Sequence, residues 1–283
     1  MLTAYRRFLD SRSREADADE RQALLARARG YALAHGVADQ PRVLTFRAGP
    51  PWMLWLAGDW DALLWLWSEL QRRFSGDDVW EIFPDTGPLA AAVRLEREGP
   101  EVSAPALHTA VERQARSGTW HARVASAAHL ANLELAEGQA SAALARLHAL
   151  FSARSPQALD LPSFLLAARV VGPAALLAPN RGTLAPWAAA DNLSRSDGAM
   201  FAAALDHLSA VERALAADTV GARELLSGTA ATYARLGWEH LAAELAWQRA
   251  RVGDESGLDG ALAFYRARGA EWRVRWLEEG RWR

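Results

Sequence analysis

Residues 119–151 read TWHARVASAAHLANLELAEGQASAALARLHALF, two runs of helix-forming residues joined at Gly138. Ala and Leu dominate both runs, and both rank high in helix propensity. Thr119 stands where an N-cap is needed, with a hydroxyl able to accept a backbone N–H of the first turn. Glycine at the joint permits the left-handed conformation that ends one helix and lets the chain turn. The spacing therefore predicts helices over Thr119–Glu137 and Gln139–Phe151, folded back on each other.

The unit recurs. Gly58, Gly99 and Gly138 fall 41 and 39 residues apart, and the first two also separate helical runs: Trp52–Ala57 from Asp59–Phe74, and Leu89–Glu98 from Pro105–Arg116. Gly76 and Gly118 mark the intervening joints. Asp59 and Ser103 read as further N-caps, and Pro88 and Pro105 sit near helix starts, where a missing N–H costs least. The pattern resumes over Met200–Ala217, Thr219–Leu236, Trp238–Val252, Leu258–Arg268 and Glu271–Arg281. Between the two sets, Ser152–Ser163 and Ala178–Gly198 carry the prolines and small polar residues of loops, the second unusually long for the inside of a compact domain. A helix pair repeating near 40 residues is the mark of an α-solenoid. The expected fold is all-α, a solenoid of antiparallel helix hairpins with an irregular middle. Its expected organisation is a hairpin array over 1–151, a loop-rich stretch with one helix over 152–198 and a second array over 199–283, the three forming either separate parts or one continuous solenoid.

Composition narrows the chemistry. The 283 residues carry 32 basic side chains, all of them Arg, and no Cys. Without Lys there is no Schiff base and no phosphate-binding loop of the G-x-x-x-x-G-K type. Without Cys there is no thiol nucleophile, disulfide or thiolate metal site. A net charge of −2 argues against a protein built to neutralise nucleic-acid phosphates. The start, Met1 to Arg7, has no apolar signal core, and the longest apolar stretch, Phe164 to Pro179, is interrupted by Arg169 and Pro173. A cytoplasmic protein with no membrane partner is the expectation. Scarce Lys, Ile and Asn, residues with AT-rich codons, point to a GC-rich bacterial genome.

Two segments resemble tetratricopeptide repeats. In Leu226–Arg249, Ala230, Tyr233, Gly237 and Ala242 occupy the family's spacing; in Ala127–Leu150, Leu130, Ala131, Gly138, Ala143 and Leu147 do, with Glu134 where Tyr is usual. The Gly58 unit keeps the aromatic Trp60 but has Leu63 at the small position, and the Gly99 unit keeps Ala92 and Ala104. The segment Ala261–Trp272 is similar to closing repeats in the helical sensor region of large bacterial transcription regulators of the maltose-activator type. The first resemblance implies a right-handed superhelix whose concave face binds peptides or partner domains. The second implies a region that binds inducers or regulatory partners.

Tryptophan is the compositional outlier, at 13 residues, five of them between Trp52 and Trp67. At 100° per residue, Trp60, Leu63, Leu64, Trp67 and Phe74 share one helix face, while Trp65 points to the side of Asp61, Ser68 and Arg72. Packing on the next hairpin would account for Trp65; as a binding site, Trp65, Arg72 and Asp61 form the leading candidate, since Trp and Arg are enriched in binding hot spots. Near the C-terminus, Trp272, Arg273, Arg275, Trp276, Arg281, Trp282 and Arg283 interleave rings and cations. Stacking on single-stranded nucleic acid is one reading. Glu271, Glu278 and Glu279 offset that charge, and a capping helix that packs its own aromatics is the other; Trp272, Arg275 and Trp276 remain secondary candidates for partner contact. The Arg-rich start (Arg6, Arg7, Arg12, Arg14) is offset by Glu15, Asp17, Asp19 and Glu20 and reads as a solvated face.

No catalytic constellation emerges, and no cofactor or metal is expected. His121 and His129 are too far apart on one helix to share an ion, and His240 with Glu244 supplies only two ligands. Three functions stay open: a non-enzymatic protein- or peptide-binding scaffold with a regulatory role, a small-molecule or peptide sensor built around the 178–198 loop, and an enzyme on a helical scaffold. The first is favoured by the repeats.

Overall fold

A computed structural model describes residues 51–74, 78–116, 118–153, 161–178 and 199–281, with scattered helical positions between residues 23 and 35. The Arg-rich start, Gly76, Asp77, most of both expected loops, and Trp282 with Arg283 lie outside the described residues. Among the described residues, thirteen α-helices run between Pro51 and Glu278, and no strand occurs. They are α1 (Pro51–Ala57), α2 (Trp60–Arg73), α3 (Asp78–Ile82), α4 (Thr86–Glu98), α5 (Pro100–Ala115), α6 (Trp120–Ala136) and α7 (Ala140–Ala153). After them come α8 (Leu161–Leu177), α9 (Ala199–Leu215), α10 (Thr219–Arg235), α11 (Glu239–Arg251), α12 (Leu258–Ala267) and α13 (Glu271–Glu278). None is long and apolar enough to cross a membrane among the described residues.

Local chemistry explains most boundaries. Thr119 caps α6 by accepting the Ala122 N–H at 3.2 Å, and Asp218 caps α10 by accepting that of Gly221 at 2.9 Å. Gly58, Gly99 and Gly138 all take positive φ at their joints. One start differs from expectation: α5 begins at Pro100, not Pro105, with Gly99 as its N-cap. Pro100 presets φ for the first turn, so the helix is already running when Pro105 arrives. Ser103 is therefore no cap; it lies buried in the helix, its hydroxyl donating back to the Gly99 carbonyl at 2.5 Å.

Consecutive helices pack against one another from α4 to α8 and from α8 through α9 to α13. Two layers result. Helices α4, α6, α8 and α11 are buried along most of their length, whereas α2, α5, α10 and α12 keep exposed outer faces. The order then returns on itself: α13 packs on α4, and α11 packs on α1. One buried apolar cluster consequently extends from Trp52 to Leu277, including the single helix of the loop-rich middle, α8.

Two of the periodic glycines have a second use as seats for the returning helices. A Cβ on Gly58 would stand 2.4 Å from Arg268 Nε, and one on Gly99 would stand 2.3 Å from Trp272 Cδ1. Gly138, by contrast, would meet nothing within 4 Å. Gly99 also sits at φ 90° and ψ 173°, backbone space essentially restricted to glycine. Gly99→Ala should therefore destabilise the fold by roughly 2–5 kcal/mol, combining backbone strain with displacement of Trp272. Gly138→Ala carries only the left-handed backbone cost, about 1 kcal/mol. Urea unfolding of the two variants measures the difference, and equal losses would rule out the seat at Gly99.

Candidate functional site

The inner helices meet around charge. Arg169, the lone cation of the apolar run in α8, is only 3% exposed. Its Nη2 donates to Glu96 Oε1 of α4 and to Glu244 Oε1 of α11, both at 2.8 Å. Arg273 of α13 donates to both Glu96 oxygens, from Nε at 2.6 Å and Nη2 at 3.0 Å. The Tyr265 hydroxyl of α12 donates to Glu244 Oε1 at 3.3 Å. Two carboxylates and two guanidiniums thus close a neutral cluster that draws together five helices.

Aromatic rings complete the enclosure. The Arg169 guanidinium lies 4.5 Å from the Trp55 ring centroid. That of Arg273 lies 4.9 Å from Trp276 and 5.2 Å from Trp272. Rings placed over cations recover part of the hydration lost on burial. His240 fits between Trp55 and Trp60, edge-to-face with both at 5.0 and 4.9 Å. Its Nδ1 lies 3.2 Å from the Trp55 carbonyl oxygen, which can only accept, so Nδ1 carries the hydrogen. Its Nε2 lone pair then faces Arg169 Nη2 at 3.4 Å.

Protonation states follow from that arrangement. For Glu96, burial favours the neutral acid, but the charges of Arg273 and Arg169 outweigh it and hold the carboxyl down at about 2. For His240, burial and the Arg169 charge both disfavour the cation, and the ring stays neutral well below its ordinary range. Burial lowers His129 to about 3, with help from Arg169. It lowers His207 to about 4 against the hydrogen bond that the ring's Nε2 donates to Gln248 Oε1. Burial and Glu244 together keep the Tyr265 phenol protonated.

The ligand atoms of Glu96, His240 and Glu244 lie within 4.8 Å of one another, a spacing a metal ion could use. Arg169 Nη2 stands 2.8, 3.4 and 2.8 Å from those same atoms, so the cation between them is a guanidinium. A divalent ion does not fit without displacing it. The carboxylates and the imidazole converge, as an active site would require, but on a side chain of the protein. Glu96 and His240 have no exposed surface. The cluster joins helices.

From the sequence, only the His240–Glu244 pair was visible. Glu96 and Arg273 lie 177 residues apart, beyond any spacing rule. The one signal for the cluster was Arg169, a cation inside an apolar helix, where a buried charge requires a partner.

The residues singled out from sequence fall into two groups. Asp61, Trp65 and Arg72 do share one exposed face of α2, with Trp65 45% exposed. Asp61 pairs with Arg97 of α4 at 2.7 Å, and Arg72 pairs with Glu69 at 2.7 Å. Trp272 and Trp276 are buried, the second edge-to-face with Trp247 at 5.4 Å, while Arg275 between them is exposed. Their rings therefore form the wall of the charge cluster, and α13 offers only Arg275 of the three to the surface.

No protein-family model matches the chain, and no curated protein or solved structure is similar enough to mark a relative.

Two outcomes test the cluster. Glu96→Gln leaves two guanidiniums facing a single carboxylate and should cost about 3–5 kcal/mol of stability, whereas Asp61→Asn, at an exposed pair, should cost under about 1 kcal/mol. The buried histidines set the acid side. Below about pH 6.5 the unfolded chain protonates His129, His207 and His240 while the folded chain does not, so stability is full above that pH and falls as the pH drops toward 4. His129→Leu should flatten the fall in unfolding free energy by about 1.4 kcal/mol per pH unit between pH 6 and 4. An unchanged slope would mean that His129 is protonated in the folded protein.

Proposed function

We propose that this protein is a non-enzymatic binding scaffold of tetratricopeptide-like helix hairpins, wound as a solenoid whose last helices return to its first. It engages a partner protein through the outer face of α2. The observation that carries this reading is the exposure of Trp65. No other tryptophan with a described side chain is exposed; the rest lie wholly or partly within the packed structure. An indole 45% exposed beside Arg72 and Asp61 offers a partner a large apolar surface with charges at its edge. Trp and Arg are the residues that most often anchor interfaces. The interior supports the same reading, since its convergent His and carboxylates are already saturated by Arg169 and Arg273. A regulatory role is the extension of this proposal that the resemblance to helical sensor regions supports.

The test compares wild-type protein with Trp65→Ala plus Arg72→Ala, each immobilised and exposed to lysate, with bound proteins identified by mass spectrometry. Both changes lie on an exposed face, so the unfolding free energy should move by no more than about 0.5 kcal/mol per site. A partner held by wild type and lost at least tenfold by the folded variant supports the proposal. Equal capture by both would move the interface elsewhere, and no specific capture by either would remove the reading.

A further inference from the structure

Along the outer side of α2 run Asp61, Trp65, Ser68 and Arg72, all exposed. Steps of four, three and four residues place them in one stripe parallel to the helix axis. The helix packs chiefly on α1 and α4, which hold its buried side, so the stripe faces away from the body of the fold.

The stripe is symmetric about its own midpoint, between Trp65 and Ser68. Asp61 and Arg72 stand at equal distances from it, each about 8 Å along the axis at 1.5 Å per residue. A second α2 turned end for end therefore presents Arg72 opposite Asp61, Asp61 opposite Arg72, and Ser68 opposite Trp65. A two-fold axis through the midpoint performs that turn and makes both charge contacts at once, as an isologous interface requires. At a crossing angle of about 20°, common between packed helices, groups about 8 Å from the crossing point stay within reach of each other. Shape agrees with charge, since the largest side chain of the stripe meets the smallest.

Both charged groups keep an unused edge. Asp61 accepts from Arg97 Nη2 at 2.7 Å through Oδ1, and its side chain is 90% exposed. Arg72 donates to Glu69 from Nε and Nη2, at 3.0 and 2.7 Å, and is 68% exposed. Oδ2 of the first and Nη1 of the second are left for a contact beyond the chain. The joined series would run from Arg97 to Asp61, then to Arg72 and Glu69 of the second copy, with the sign alternating at every step. Such networks contribute more than isolated surface pairs do.

Resting on the reading of the α2 face as an interface, we propose that its partner is a second copy of this chain, the two α2 helices docked antiparallel about a two-fold axis. Trp65 of each copy covers Ser68 of the other, and Asp61 of each pairs with Arg72 of the other. A face shaped for an unrelated protein has no need of this self-complementarity. One helix face per copy falls short of a standard interface, so the dimer forms in the micromolar range.

Sedimentation equilibrium of the purified chain from about 1 to 500 μM, which brackets affinities of that order, tests the proposal. Wild type should pass from monomer to dimer, and raising the salt from about 0.05 to 0.5 M should weaken the dimer at least threefold. Trp65→Ala should weaken it at least tenfold. So should Asp61→Arg alone and Arg72→Asp alone, because each sets like charges against each other across the axis. An equimolar mixture of those two variants should regain dimers, since both contacts then join opposite charges. All three sites are exposed, so each variant should keep the circular dichroism of wild type. A wild type that stays monomeric, single reversals that dimerise as wild type does, or a mixture of folded variants that stays monomeric would each overturn the proposal. The first of these tests needs no variant. A monomeric wild type that still captures another protein through Trp65 and Arg72 would end the dimer and keep the interface, whereas loss of capture as well would end both.

Discussion

The structure turns on the exchange of charge among Glu96, Arg169, Glu244 and Arg273. Each of these groups would lose several kcal/mol on leaving water alone, and all four are buried. Only the closed set, with one carboxylate shared by both cations and the other bridged to Arg169 and Tyr265, makes the burial tolerable. That requirement reaches outward. It keeps His240 neutral, fixes which ring nitrogen carries the hydrogen, and places Trp55, Trp272 and Trp276 where their faces meet the guanidiniums. Helices α4, α8, α11, α12 and α13 cannot shift independently without opening a carboxylate–guanidinium contact or the Tyr265 hydrogen bond.

Such a cluster also specifies geometry more sharply than apolar packing does. Ala and Leu supply most of the core, and small apolar side chains tolerate several near-equivalent packings. A bidentate guanidinium tolerates few, because both of its bonds depend on angle as well as distance. The abundance of Arg and the absence of Lys suit this arrangement, since an ammonium lacks the planar fork that spans two oxygens of one carboxylate.

What the sequence revealed divides by range. The helix pairs were legible because their causes are local: glycine at the joints, Thr119 as a cap, and runs of Ala and Leu between. Helical periodicity likewise grouped Asp61, Trp65 and Arg72 on one side of α2, while leaving open whether the next hairpin covers Trp65; the structure leaves all three exposed. The error at Ser103 and Pro105 was also local, arising because Gly99 and Pro100 together start a helix earlier than the later proline indicates. The charge cluster was beyond reach for a different reason. Its members come from separate hairpins, with Arg169 drawn to partners 73 and 75 residues away. For Trp272 and Trp276 the four-residue spacing pointed to a helix packing its own rings, and both are buried; which cation they would cover was not legible, because Arg273 meets its carboxylate 177 residues away.

The 177 residues between Glu96 and Arg273 have a further consequence during synthesis. At ribosomal speeds of about 5–20 residues per second, Glu96 emerges roughly 10–35 s before the cation that grips both of its oxygens. Until then α4 presents a carboxylate on a surface built to be interior, and the nascent hairpins have every reason to stay loosely docked. A simple stack of repeats can mature from its first unit onward, each hairpin settling on the one before. Here the first hairpins are finished last, when the returning helix closes over them.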